Sequence, residues 1–384
     1  GSEMCIRDST LTACNDSKNE DSIDPDPLPP SITYHVEGYA ELGAFDHNST
    51  LTVFPLDKSL AHIEEQAYGG KVETDYGLFS ASGNMKFQES LYFEVQVTGN
   101  FFNGTKGRRS EHKTTLRAIN HVINHADEER SINRYIKLPA TNVNIFTQLT
   151  AARICTLLKK AAGYNEMSHT ITDIYRNASE QALKEVLTAF SISDIYVSML
   201  SIDPTRASFS QYNAPASMMA AVSNILLTSV DEELLDTFFT EWDKDFAPDG
   251  RIDNEDIKES IRDGQQSLKY TNVYKQLDSF YKAYDFKSDF PEFWKFVDRN
   301  GDGILDKQDK PDDFEITEEE LTPSQQQCIQ LLEQVNKYLR DFLQTECVWE
   351  ANFCGAIGPI PDYPTTLVPT DSEVYEIWTA AYAT

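Results

Sequence analysis

Between residues 298 and 309, oxygen-bearing side chains recur at a spacing that suits a hard divalent cation. Asp298, Asn300, Asp302, Asp306 and Asp309 occupy positions 1, 3, 5, 9 and 12 of the loop, and Ile304 at position 7 offers its backbone carbonyl. Gly303 stands at position 6, where the chain must turn sharply, and Leu305 at position 8 can tuck into a core and anchor the loop. Calcium takes six to eight oxygen ligands, and this is the layout of a calcium loop. Asp at position 12 has a shorter reach than Glu, a trait shared with dockerin-like loops. Lys310 and Pro311 follow at once, which argues against a full exiting helix. The expectation is an EF-hand-like calcium loop outside a complete EF-hand; an Asp/Gly turn with no ion is the plainer reading.

A second acidic segment holds Asp243, Asp245, Asp249, Arg251 (through its carbonyl), Asp253 and Asp256. Its second half repeats the pattern of the first loop, whereas its first half is two residues too long when counted from Asp243. A weaker calcium site and a capped turn with Asp253 as N-cap both fit. His121 and His125 would share a face if the segment were helical, a spacing that suits a metal, although exposed, non-coordinating histidines are the plainer reading. Nucleophile elbows, phosphate-binding loops and dinucleotide fingerprints are missing from the sequence. Acidic pairs are too numerous to nominate a glycosidase dyad, because sequence spacing does not give carboxyl separation. Tyr92, Phe93, Phe101 and Phe102 offer a sugar-stacking platform or, more simply, core.

The elements that must carry these residues change in character along the chain. Alternation at 34–40, 49–56, 90–97 and 114–119, and a turn entering a strand at 75–80, predict strands, with a hairpin tip between Gly99 and Gly107. From about Asn142 the apolar period becomes helical. Stripes predict helices over 144–162, 170–190, 214–229, a segment opened by Asp231, Glu232 and Glu233, then 253–268, 270–284 and a short helix at 291–297. A long helix is expected over 317–346. The fold class expected is therefore α+β: an antiparallel β-sandwich domain (33–140) followed by an all-α domain with the calcium loop (141–315). A tether (1–32) precedes them, and a long helix with the start of a truncated C-terminal module (316–384) follows.

The chain has 384 residues, 40% hydrophobic and 11% aromatic, which is the composition of a folding protein. Asp and Glu outnumber Lys and Arg by 62 to 33, for a net charge of −29. That field repels phosphate backbones and excludes nucleic acid as a partner, while favouring cations. The six cysteines are too sparse for a disulfide scaffold; Cys347 and Cys354 either bridge a short loop or remain thiols. Leu11, Thr12, Ala13 and Cys14 resemble a bacterial lipobox, with Cys14 the lipidated residue and the preceding apolar segment missing. An acidic, Pro-rich stretch through Pro30 then reads as a surface tether. The membrane would be met only through that lipid.

One ordered set of runs begins with Gly38, the strand at Leu51, Val53 and Leu56, residues 75–79, 101–104 and 116–119, and then 142–149 with Arg153. It continues through 185–190, 219–226, 249–253 and 290–293. This order resembles a family of Bacteroidetes surface lipoproteins, over roughly 35–300. Gly43, Ala44 and Phe45 depart from the family's Gly-Pro-Phe, and 121–137 reads as an insertion. The resemblance implies a carboxypeptidase-regulatory or transthyretin-like β-domain, a helical region and a variable C-terminal module. Residues 373–382 are faintly similar to the first helix of SusD-like glycan-uptake lipoproteins. The function expected is a non-enzymatic, lipid-anchored outer-membrane protein at the cell surface, with calcium as cofactor. It would bind or adhere to a polysaccharide or another cell-surface protein. A surface enzyme acting on glycans or peptides through an unrecognised or missing module, and a structural stalk, are the alternatives.

Overall fold

Strand β2 (Thr50–Leu56) shows why the N-terminal half forms a sheet: Leu51 and Val53 are fully buried while Thr52 and Phe54, alternating with them, are half-buried. The same alternation orders the larger assembly, which we describe from a computed structural model. It describes residues 32–85, 91–122, 135–164, 171–192, 202–211, 213–284 and 292–311. Cys14, His125, Cys347, Cys354, the helix expected at 317–346 and the C-terminal module lie outside these residues.

The strands are β1 (Ile32–Glu41), β2, β3 (Tyr68–Val72), β4 (Leu78–Met85), β5 (Tyr92–Gly99), β8 (Thr114–His121), β9 (Tyr135–Lys137) and β10 (Val143–Asn144). They form one sheet in the order β10-β1-β4-β3-β2-β5-β8, with β9 also on β1. Neighbours are antiparallel except β9 and β10, which run parallel to β1. The two ends of the sheet approach each other: Asn120 on β8 donates to Thr141 Oγ1, just before β10, at 2.9 Å. The strands thus make a nearly closed, barrel-like sheet, where a sandwich has two separate facing sheets. A small hairpin, β6 (Phe102–Asn103) with β7 (Arg108–Arg109), projects from it at the expected tip.

Six helices complete a mixed α+β unit among the described residues: α1 (Ile145–Lys160), α2 (Ile171–Ala189), α3 (Ala214–Ser229), α4 (Leu235–Phe246), α5 (Glu255–Ser267) and α6 (Tyr270–Lys282). The short helix expected at 291–297 is reduced to a single 3-10 turn at Trp294–Phe296. Helix α3 is the centre. Its residues from Ala216 to Leu227 are all buried, because almost every one is small or apolar. Asn213 starts it by accepting the Ala216 N–H at 2.9 Å. Gly264 lets α5 press against it, since a Cβ there would lie 2.3 Å from the Ile225 carbonyl oxygen.

One apolar cluster joins strands to helices, holding Val95, Phe101, Phe146, Leu187, Met218 and Trp242. Trp242 is fully buried and donates its indole N–H to the Leu149 carbonyl at 2.9 Å, fixing α4 to α1. A second cluster places Tyr92 and Ile119 of the sheet against Ile154 and Leu158 of α1 and Tyr175 of α2. All described residues fall within one compact unit. No described helix is long and apolar enough to cross a membrane.

Candidate functional site

The loop at 298–309 is wound by its own carboxylates. Asp298 accepts the Gly301 and Gly303 N–H groups through its two oxygens, each at 2.9 Å. Both glycines have φ near +76°, at 75° and 77°, the left-handed region that favours residues without a Cβ. Asn300 accepts from the Asp302 N–H, and Asp302 from the Ile304 N–H, in successive Asx turns. Asp306 caps a one-turn 3-10 segment, Lys307–Asp309. Asp309 ties the two ends together: one oxygen accepts the Arg299 N–H at 2.8 Å, the other the Asp306 N–H at 3.0 Å.

Burial divides these ligands. Asp298 and Asp309 are 3% and 1% exposed, and neither forms an ion pair among the described residues. Asn300, Asp302 and Asp306 are partly or fully exposed. Ile304 is 61% exposed, as a residue used only for its backbone would be, and Leu305 packs on the main core. The loop therefore has a fixed, buried base and an open rim. Among the described residues, no group of three or more His, Cys, Asp or Glu side chains is placed to hold a metal ion.

The second acidic segment is dispersed by the fold. Asp243 faces the sheet, with Oδ2 2.6 Å from Arg117 of β8; burial pushes its carboxyl up to about 6, outweighing the Arg117 charge. Asp245 accepts the Asp253 and Asn254 N–H groups. The N-cap of α5 is Asn254, one residue beyond Asp253, and Asn254 accepts the Asp256 N–H. Asp249 accepts the Arg251 N–H within a turn where Gly250 has φ of 78°.

Arg153, buried within α1, organises that turn. Its guanidinium pairs with both oxygens of Glu185 on α2 and donates to the carbonyls of Ala247, Pro248 and Asp249. Arg251, Asp249 and Gly250 then line a cleft of about 820 Å³ together with α2, α5, Asp298 and Gly301. The two acidic segments that look alike in sequence thus border the same space. A sequence gives no sign of this, because Arg153 lies some ninety residues before the turn it holds.

A separate polar network lies on the sheet. Glu94 is 3% exposed, and His62 Nε2 stands 3.1 Å from it. Although burial alone would raise Glu94, the His62 hydrogen bond and the Arg117 charge bring it below the usual range. The hydrogen bond to Glu94 raises His62 in return. His121 ends strand β8, so the helical premise for pairing it with His125 fails. Its ring lies between Asn120 and Thr172 and stacks on Tyr175, and burial lowers it to about 4, a neutral imidazole. Tyr92, Phe93, Phe101 and Phe102 are all buried, so these four are core and do not form the sugar platform they could have offered. Comparison with protein-family models, curated proteins and solved structures gives no match.

Proposed function

We propose that the protein is a non-catalytic binding component of a cell surface, anchored through a lipid on Cys14, with structural calcium at 298–309. The observation that carries the calcium reading is the pair of buried carboxylates, Asp298 and Asp309, which meet backbone N–H groups and no cationic side chain among the described residues. A buried carboxylate is costly without a compensating charge, and an all-oxygen donor set suits a hard cation. Asp298, Asn300, Asp302, the Ile304 carbonyl, Asp306 and Asp309 would hold the ion in an EF-hand-like loop, where it would act as a staple. The surface reading is supported by the lipobox-like Cys14, the acidic tether and the charge of −29. The binding reading is supported by the open cleft beside the loop, lined by both polar and apolar side chains.

Thermal denaturation in calcium and in chelator tests the staple. A site with Kd of order 10⁻⁴ M gains about 2.7 kcal/mol at a hundredfold excess of free ion. For a unit running from Gly1 to Phe314 that raises Tm by roughly 4 °C, at about 1.5 °C per kcal/mol. Equal melting in both buffers, or Asp302→Ala responding to calcium as the parent does, overturns it. Membrane partitioning of the chain expressed behind a lipoprotein signal, with Cys14→Ala as control, tests the anchor: soluble parent protein overturns it.

A further inference from the structure

An asparagine followed by glycine is the linkage most open to succinimide closure, because the glycine nitrogen has no neighbouring Cβ to shield it. The chain has two such pairs, Asn103-Gly104 and Asn300-Gly301, and the fold treats them in opposite ways. Asn103 is fully buried in the β6–β7 hairpin. Its Nδ2 donates to Glu232 at 2.8 Å, and its Oδ1 accepts from the Thr105 N–H, the Thr105 hydroxyl and the Lys106 N–H. That amide is locked in place and kept from the water that ring opening needs.

Asn300 is exposed, and the groups around it are those the reaction uses. The Gly301 N–H donates to Asp298 Oδ1 at 2.9 Å, so a carboxylate already holds the proton that must leave the attacking nitrogen. The Asp302 N–H donates to Asn300 Oδ1 at 2.9 Å, where negative charge develops as that nitrogen adds to the side-chain carbonyl. Asn300 Nδ2, the leaving nitrogen, donates to Asp302 Oδ2 at 2.9 Å. A base, an oxyanion donor and a contact to the leaving group thus converge on one exposed amide.

We propose that Asn300-Gly301 is a self-modifying site, where the loop's own groups close a succinimide that water opens to aspartate or isoaspartate. The Gly301 nitrogen bonds to Asn300 Cγ as its proton passes to Asp298; the Cγ–Nδ2 bond then breaks, and ammonia leaves with that proton. Water adds to either ring carbonyl and breaks one ring C–N bond, so the net change is water in and ammonia out, with no oxidation. The isoaspartate product carries Cβ of residue 300 in the main chain, which lengthens the loop whose two ends Asp309 ties. No metal ion takes part, so the inference does not rest on the calcium reading. The full chain is incubated in chelator at mildly alkaline pH, folded or in urea, and its peptides are followed by mass spectrometry with electron-transfer fragmentation. Residue 300 should convert in the folded chain at least as fast as in urea, whereas Asn103 should convert in urea alone. Asn300→Gln, which would need a larger ring, should abolish conversion there. Asp298→Asn should slow it roughly a hundredfold, the low end of what a positioned base contributes. A melting curve shows whether that variant folds; if it does not, the folded-against-urea comparison of the parent decides. Slower conversion of Asn300 folded than in urea, equal rates at Asn103 and Asn300 in the folded chain, or a folded Asp298→Asn within about threefold of the parent overturns the proposal.

Discussion

Replacing Arg153 by alanine tests whether the turn bordering the cleft is held by one buried guanidinium. Five hydrogen bonds leave that group, two to Glu185 and three to the carbonyls of Ala247, Pro248 and Asp249, at 2.7–3.2 Å. The side chain of Arg153 is 5% exposed and that of Glu185 21%. Breaking a buried pair costs about 3–5 kcal/mol because the remaining charge stays desolvated. Water reaches Glu185 in part, which places the loss near 3 kcal/mol. For a unit running from Gly1 to Phe314, at about 1.5 °C per kcal/mol, Tm should fall by roughly 4–5 °C. Differential scanning calorimetry reads this directly. Arg153→Lys should fall between parent and alanine, since one ammonium cannot span both Glu185 and three diverging carbonyls. A drop under about 2 °C for Arg153→Ala would refute the idea that this residue joins α1, α2 and the turn.

Other consequences are equally direct. Glu41 is 1% exposed and, among the described residues, its carboxyl accepts from Ser208 Oγ and the Phe209 N–H, so burial pushes it from 4.5 up to about 8. The folded state then holds a proton that the unfolded state releases. This stability is full below about pH 4.5 and is lost as pH rises towards 8, on the order of 5 kcal/mol in all. Glu41→Gln should flatten that part of a urea-derived stability curve, and a variant curve parallel to the parent's would count against it. Gly264→Ala should cost about 1–3 kcal/mol by forcing α5 away from the Ile225 carbonyl, measurable as a lower urea midpoint without a changed slope. Asp309→Ala should remove the acceptor for three loop N–H groups, lower stability by about 2–3 kcal/mol and abolish any calcium-dependent rise in Tm. A retained calcium response in that variant would remove Asp309 from the ligand set.

The strands easiest to read were those with one buried face, such as the run through Leu51 and Val53 and that through Phe93, Val95 and Val97. Strand β3 was missed because Gly69 and Gly70 lie at its centre and give no alternation. Strand β10 has two residues, and its parallel pairing with β1 depends on a partner a hundred residues away. Helices were legible to within a few residues, since each carries an apolar stripe, and α3 began and ended as the pattern indicated. Local motif also fixed the 298–309 loop, whose Asx turns depend on neighbours in sequence. The cleft was invisible because it is made by Arg153, Glu185 and Arg262, which come together only in three dimensions. Asp243 misled for the complementary reason: spacing placed it in a loop, whereas Arg117 draws it to the sheet.

Asn144 belongs to two kinds of structure at once. It pairs with Glu41 in the sheet, and its side chain caps α1 by accepting the Thr147 N–H while donating to the carbonyls of Pro204 and Ala207. Sheet register and helix phase are therefore set by the same residue, with no linker to absorb an error. One extra residue at this junction would turn α1 by about 100° relative to the sheet. Phe146 and Leu149 would leave the core, and Trp242 would lose the Leu149 carbonyl it binds. At residue 144 the chain therefore keeps count like a gear tooth.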